Sequence, residues 1–252
     1  MIGIPILTAN AGANSGIGYD SSYTLAAASP NTHVIMGCRS LAKGAQALSE
    51  IQARNPAGTL SLLKLDVDSD TSIAAAAEKI AADHGVLDVL VNNAGIVVLH
   101  PKNRRSELLD TYNTNAASAL LLTEALTPLL KKSSDPRVIN VSSGLGSMTM
   151  RVDETTTWYK TTAEAYRMSK AAMNMAAVCT YAVNREWGLK AWSCCPGFVI
   201  TNLTGEEGRK TMVENGAESS ETSAQLLLEI VEGKRDGEVG LFVKRKGLRW
   251  DW

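Results

Sequence analysis

The sequence predicts one α/β domain, a doubly wound parallel sheet of about seven strands with helices on both faces. Short apolar runs alternate with longer helix-compatible runs, in the order βαβαβαβ, across the first half of the chain. A glycine-rich turn, Gly12-Ala-Asn-Ser-Gly16-Ile-Gly18, follows the first apolar run and opens the first helical one. No repeat or low-complexity linker interrupts the pattern, and 252 residues are enough for one large core.

Ile4 to Ala11 is apolar enough for a first strand, and Tyr19 to Ala28 suits a helix. Between them Gly12, Asn14, Ser15, Gly16, Ile17 and Gly18 make a turn fitted to pyrophosphate. Glycine lets the backbone approach a ligand, and a helix N-terminus supplies free N–H groups with partial positive charge. His33 to Gly37 is a second strand ending in Cys38-Arg39-Ser40, where the adenosine ribose of a dinucleotide would sit. Arg39 stands there in place of a carboxylate, with Lys43 one helical turn on. Two cations suit a 2′-phosphate, and hence NADP(H).

A helix (Ala42 to Arg54) and a turn at Asn55-Pro56-Ala57-Gly58 lead to a third strand, Leu60 to Leu65. Asp66 and Val67 follow at the edge where open α/β sheets bind ligands; Asp66 either accepts from an adenine amine or caps the next helix. Thr71 to His84 is helical, and Val86 to Val91 is a fourth strand closed by Asn92-Asn93-Ala94-Gly95. The short connections predict right-handed crossovers.

Thr111 to Lys132 reads as a long helix, and Arg137 to Val141 as a strand delivering Ser142 and Ser143. Ala163 to Glu186 contains neither Gly nor Pro and reads as a helix carrying Tyr166 and Lys170. Leu189 to Cys194 is a sixth strand, Ser220 to Val231 a helix, and Leu241 to Val243 a last edge strand. Positions i and i+4 share a helix face, so Tyr166 and Lys170 point to one place. An ammonium ~4 Å from a phenol, at an effective dielectric of about 20, favours the phenolate by up to ~4 kcal/mol. The spacing therefore predicts a Tyr166 whose pKa is drawn down towards neutrality.

Composition removes several classes of function. The net charge is -1 and the longest basic run is Lys244-Arg245-Lys246, which gives no reason to expect nucleic acid or an anionic membrane as partner. No apolar run approaches the ~20 residues needed to span a bilayer, and Met1 to Leu7 lacks the basic region of a signal sequence. Three scattered histidines and four cysteines form no metal-like or Ser-His-Asp pattern. Reduced thiols and a cytoplasmic location are expected.

Gly12-x3-Gly16-Ile-Gly18, Asn92-Asn93-Ala94-Gly95, Ser143, Tyr166-x3-Lys170 and Pro196-Gly197-x3-Thr201 occur in that order. Together they resemble the short-chain dehydrogenase/reductase family over nearly the whole chain, and Cys38-Arg39-Ser40 resembles its NADPH-preferring members. The resemblance implies a Rossmann-type fold and an Asn115, Ser143, Tyr166, Lys170 catalytic set, with Ser142 as the alternative to Ser143. Asn115 would kink its helix and hold a water that relays protons to Lys170. Lys170 would also hold the nicotinamide ribose. Asn92, Ala94, Gly95, Pro196, Gly197, Val199 and Thr201 would complete the cofactor site, with Val199 and Thr201 at the carboxamide. The family usually begins its glycine turn with Thr-Gly. Here the pair is Ala11-Gly12, and Thr8-Ala9 three residues earlier points to an insertion before the turn.

The resulting expectation is an NADPH-dependent oxidoreductase that interconverts a small-molecule ketone or aldehyde and its alcohol, assembled as a homodimer or homotetramer. The alternatives are a non-redox dehydratase, epimerase or cyclase on the same scaffold, and an NADP-binding regulator without turnover. Val97, Leu99, Leu145, Met148, Met150, Trp158, Tyr159, Phe198 and Leu203 are expected beside the nicotinamide. They predict a preference for bulky hydrophobic carbonyls.

Overall fold

A computed structural model of the protein describes residues 6–252. The sheet has eight strands in the order β3-β2-β1-β4-β5-β6-β7-β8. These are β1 (Ile6–Ala11), β2 (Thr32–Cys38), β3 (Thr59–Lys64), β4 (Val89–Asn92), β5 (Arg137–Val141), β6 (Lys190–Cys195), β7 (Phe242–Lys244) and β8 (Leu248–Arg249). All pairings are parallel except β7 with β8. The expected doubly wound sheet is therefore present, with one more strand, a two-residue antiparallel one. Ile4 and Pro5, the first residues of the predicted first strand, lie outside the described residues.

Helices cover both faces because the strands are apolar on both. Leu25 and Ala26 of α1 (Gly16–Ala28), Ala47 and Ile51 of α2 (Leu41–Ala53), and Leu226, Leu227 and Ile230 of the late helix Glu221–Val231 pack on one face with Val34, Met36, Ile139 and Trp192. Ile73, Ala76 and Ile80 of α3 (Asp70–Asp83) pack on the other with Leu90 and Val138. They are joined there by Leu122, Leu126, Leu129 and Leu130 of the helix Ser118–Leu130. Each such Val, Leu, Ile or Met side chain taken fully out of water contributes about 1.5–3 kcal/mol.

The expected helix from Thr111 starts earlier and is interrupted. Asn103 accepts from the Ser106 amide and the Ser106 hydroxyl side chain returns to Asn103, a capping box that starts α4 (Arg104–Tyr112). A π-turn over Asn113–Ala117 follows, in which the Ser118 N–H reaches Asn113 O, and α5 (Ser118–Leu130) continues from it. The remaining helices are α6 (Met148–Val152), α7 (Glu164–Asn184), α8 (Gly205–Glu214) and α9 (Glu221–Val231).

The strand before the glycine turn runs without a bulge. β1 stays in register with β2 from Ile6 to Ala11. Thr8 and Asn10, unfavourable as buried strand residues, are both fully buried. Asn10 has a use: its amide is 2.9 Å from Gly18 O, 2.9 Å from Ser21 Oγ and 3.0 Å from Ser22 Oγ, which fastens β1 to the start of α1.

Candidate active site

The strand order reverses between β1 and β4, and a cavity of about 380 Å³ opens there at the C-terminal edge of the sheet. It runs from Arg39, Ser40 and Lys43 beyond β2, past Asp66, Val67 and Asp68 beyond β3, to Tyr166 and Lys170 beside β5. Gly12, Asn14, Ser15, Gly16 and Ile17 line it, as do Ala94, Gly95, Pro196 and Thr201.

Gly12 turns the chain out of β1 with φ +74, a conformation that disfavours side chains. Ser15, the N-cap of α1, makes no side-chain cap bond, and no acidic residue occupies the first turn. The first N–H groups of α1 are therefore left for a ligand in the cavity. Gly18 has another task. A Cβ there would stand 2.3 Å from Gly12 O and 2.6 Å from Asn93 Nδ2, so Gly18 is a packing glycine set behind the turn and away from the cavity.

At the β2 end of the cavity Arg39 and Lys43 are exposed, and Lys64 Nζ donates to Arg39 O at 2.5 Å. The helix-capping alternative for Asp66 is not realised. Ser69 caps α3 by accepting from Ser72 N, which leaves the Asp66 carboxylate facing the cavity with only Asp68 N bonded to it, at 3.3 Å.

At the far end the first turn of α7 and the loop after β5 meet. The Ser143 hydroxyl adjoins the Tyr166 phenol and favours its ionised form, while its Oγ accepts from Leu145 N at 3.2 Å. Ser142, the other hydroxyl of the pair, is buried and donates to Lys170 O at 3.3 Å. Asn115 is fully buried within the π-turn. Its Oδ1 accepts from Ile96 N at 2.7 Å, and its Nδ2 donates to Ile96 O at 3.0 Å and to Ser169 Oγ at 2.9 Å. Asn115 thus ties the segment after Gly95 to α7, one residue before Lys170.

Tyr166 and Lys170 face one cavity, as their spacing predicts, but the expected lowering of the phenol is not found. Lys170 Nζ donates to Val141 O at 2.8 Å and lies 5.7 Å from the centre of the Tyr166 ring. Burial holds the ammonium down at about 8. Burial likewise pushes the phenol above its usual range, helped by the neighbouring Cys195 and opposed by the Ser143 hydroxyl. Lys170 gives the phenol no lowering, because burial removes its own proton near 8, before the phenol titrates.

This geometry has a measurable effect on stability. The folded chain binds fewer protons at Lys170 than the unfolded chain between pH 8 and 10.5, so this group makes stability rise with pH in that window. Below it the burial penalty is fully present, on the order of 3 kcal/mol at about 1.4 kcal/mol per pKa unit. Lys170→Met is expected to stabilise the protein at pH 7, with the gain fading as pH rises from 8 to 10.5. Urea unfolding of both proteins across that range checks it, and a pH-independent gain would refute it.

Four residues expected at the cofactor do not line the cavity. Asn92 is buried and donates to Thr123 Oγ1 and Asn140 Oδ1, both at 3.0 Å, so its neighbour Asn93 faces the cavity instead. Gly18 lies behind the turn. Gly197 packs towards Arg245, and Val199 is buried in a bridge with Glu218. Ser40, Asp68, Ile96, Thr114 and Asn202 line it without having been singled out, and Leu203 lines it as expected. Asp68 had a readable signal, as the second acid of Asp66-Val-Asp68. Its Oδ1 accepts from Asn113 Nδ2 at 3.0 Å and Thr114 Oγ1 at 2.8 Å, which braces the π-turn.

A parallel sheet with a glycine turn at its reversal point, and one cavity running from that turn to Tyr166 and Lys170, is the arrangement of a dinucleotide-binding fold. Comparison with known proteins agrees. The short chain dehydrogenase family model matches residues 9–211. A short-chain dehydrogenase/reductase of Talaromyces stipitatus, tropE, is 32% identical over 254 residues, covering 94% of each chain. Among solved structures, NADPH-bound carbonyl reductase from chicken fatty liver superposes with a TM-score of 0.80 at 28% identity, covering 99% of both chains. Carbonyl reductase Sniffer of D. melanogaster gives 0.80 at 25% identity, over 99% of this chain and 100% of its own. The chain belongs to the short-chain dehydrogenase/reductase family.

Proposed function

We propose that the protein is an NADPH-dependent carbonyl reductase, with Ser143, Tyr166, Lys170 and Asn115 as its catalytic set. The observation that carries this reading is the Tyr166 phenol lining the cavity beside Lys170, with the Ser143 hydroxyl next to it and burial keeping it protonated. A protonated phenol is what carbonyl reduction needs, since the oxygen must receive a proton as the carbon is reduced.

The cavity fits the cofactor. The uncapped α1 N-terminus suits the pyrophosphate, Arg39 and Lys43 suit a 2′-phosphate, and the Asp66 carboxylate suits the adenine amine. When bound, NADPH supplies hydride to the carbonyl carbon. Ser143 holds the carbonyl oxygen and Tyr166 donates its proton to it. Lys170 holds the nicotinamide ribose and restores the phenol's proton, and Asn115 keeps the α7 segment around Lys170 in place.

An apolar substrate suits the surroundings of Tyr166. Trp158 and Phe198 meet edge to face, with ring centres 5.1 Å apart, and join the two segments flanking the site. Leu203 lines the cavity, and Leu99 and Met148 are exposed. Met150, expected in the pocket, is buried in the core instead. Each buried substrate methylene would gain about 0.8 kcal/mol there. Exposed Leu109, Tyr112, Leu121, Met168, Met175 and Val183 on α4, α5 and α7 support a homo-oligomer. The cysteines are free, in keeping with a reducing cytoplasm. Among the described residues no helix is long and apolar enough to cross a membrane.

The test follows NADPH absorbance with a size series of ketones and aldehydes. The expected result is a kcat/KM that rises with apolar bulk. Tight NADPH binding without consumption would instead mark a regulator, and a flat or inverted size dependence would defeat the apolar pocket.

A further inference from the structure

We propose that Trp250 is a positioning residue for catalysis, its indole forming the outer support of the loop that carries Ser143. This rests on the role of Ser143 proposed above.

The residue after Ser143 is held from two sides. Gly144 N–H donates to Cys195 Sγ at 3.1 Å, from the end of β6. A Cβ on Gly144 would lie 3.1–3.2 Å from Cε2, Cζ2 and Nε1 of Trp250, so the indole lies directly against this backbone. The contact continues along the loop. Ser147 Oγ donates to Asp251 O at 2.6 Å, and Trp252 O accepts from both Thr149 N at 3.1 Å and Thr149 Oγ1 at 2.9 Å. Segment 250–252 therefore touches the serine loop at Gly144, Ser147 and Thr149, and among these it is Trp250 that reaches the residue next to Ser143.

That segment is firmly seated. Trp250 N donates to Phe242 O at 2.8 Å, and Phe242, fully buried, stacks with Trp252 at 5.6 Å. Lys244 Nζ sits 3.8 Å above the Trp250 ring. Arg235, itself buried, donates to Lys244 O and Leu248 O and so fixes both strands of the β7–β8 hairpin. The chain of support runs from the core through the hairpin to Trp250, and from Trp250 to the Ser143 loop.

One detail makes the role specific. Trp250 Nε1 is buried and has no hydrogen-bond partner. The indole acts through its shape, not its N–H, so a phenyl ring should do most of the same work and leave no donor unsatisfied.

The experiment compares wild type, Trp250→Ala and Trp250→Phe by steady-state NADPH kinetics and by amide hydrogen exchange. Trp250→Ala is expected to lower kcat about tenfold, inside the ~10²-fold that a 1 Å misplacement of a reacting group can cost. KM for NADPH should stay within about twofold, because residues 250–252 lie outside the cavity lining. Exchange should quicken at the amides of Gly144 to Thr149. Trp250→Phe should restore most of kcat and the protection.

Wild-type kcat in Trp250→Ala, or faster exchange confined to residues 242–252, would overturn the proposal. Faster exchange throughout the protein would also overturn it, because it would mark a general stability role. If Trp250→Ala is recovered unfolded, Trp250→Leu keeps the apolar volume without the flat ring, and the same split between kcat and KM decides. A wild type that consumes no NADPH with any carbonyl would refute the function proposed above. The exchange arm would still show whether Trp250 supports the loop.

Discussion

Tyr166→Phe should lose most of the protein's turnover, on the order of 10²–10⁴-fold, the usual worth of a positioned general acid. The change removes one oxygen and keeps the ring, so the packing of α7 against the Ser143 loop survives. NADPH binding should also survive, because the glycine turn, Arg39 and Lys170 are untouched. Fluorescence titration of NADPH beside steady-state reduction of a good carbonyl separates the two effects. A Tyr166→Phe enzyme that reduces that carbonyl at the wild-type rate would remove Tyr166 from the mechanism. Because burial holds the phenol above its usual range, Tyr166 should stay protonated across neutral pH.

The second large effect is expected at Arg39. Arg39→Asp exchanges a cation for a carboxylate at the point where the cavity passes the end of β2. A charge-assisted bond to a phosphate is worth about 1.5–3 kcal/mol, or roughly tenfold to a hundredfold in specificity. The variant loses that bond and gains an acceptor for ribose hydroxyls, so preference should move from NADPH towards NADH. The exposure of Arg39 means that added salt should narrow the wild-type preference. Equal kcat/KM for NADPH and NADH in the wild type would refute the assignment.

Much of this architecture is legible in the sequence because the parallel strands are short, apolar and separated by helices with clear ends. The strand Arg137–Val141 coincides with its expectation, as its apolar run is closed by Pro136 before it and two serines after. Leu248–Arg249 was not legible, because two exposed residues carry no periodicity and pair only through the hairpin that Arg235 holds. The early start of α4 was legible in principle, in the Asn103-x-x-Ser106 cap. The spacing of Tyr166 and Lys170 gives a shared helix face. It does not say where a four-carbon lysine side chain ends, and here a backbone carbonyl captured it. Asn92 and Asn93 form a similar case: one ends β4 and the other follows it, and the motif alone does not tell which one turns to the cavity.

The π-turn at Asn113–Ala117 also changes how the stretch Arg104–Leu130 is to be read. Each residue of an α-helix advances the side-chain direction by roughly 100°. One extra residue in a turn therefore puts everything after it out of phase with everything before it by about that angle. No single helical wheel describes α4 and α5 together. Leu109 and Tyr112 belong to one phase, and Leu122, Leu126 and Leu129 to another. An apolar stripe drawn straight through both would assign the buried side wrongly on one half. The same offset lets one continuous rod turn Leu122 and Leu126 to the sheet while Asn115, inside the wide turn, reaches across to Ile96 and Ser169.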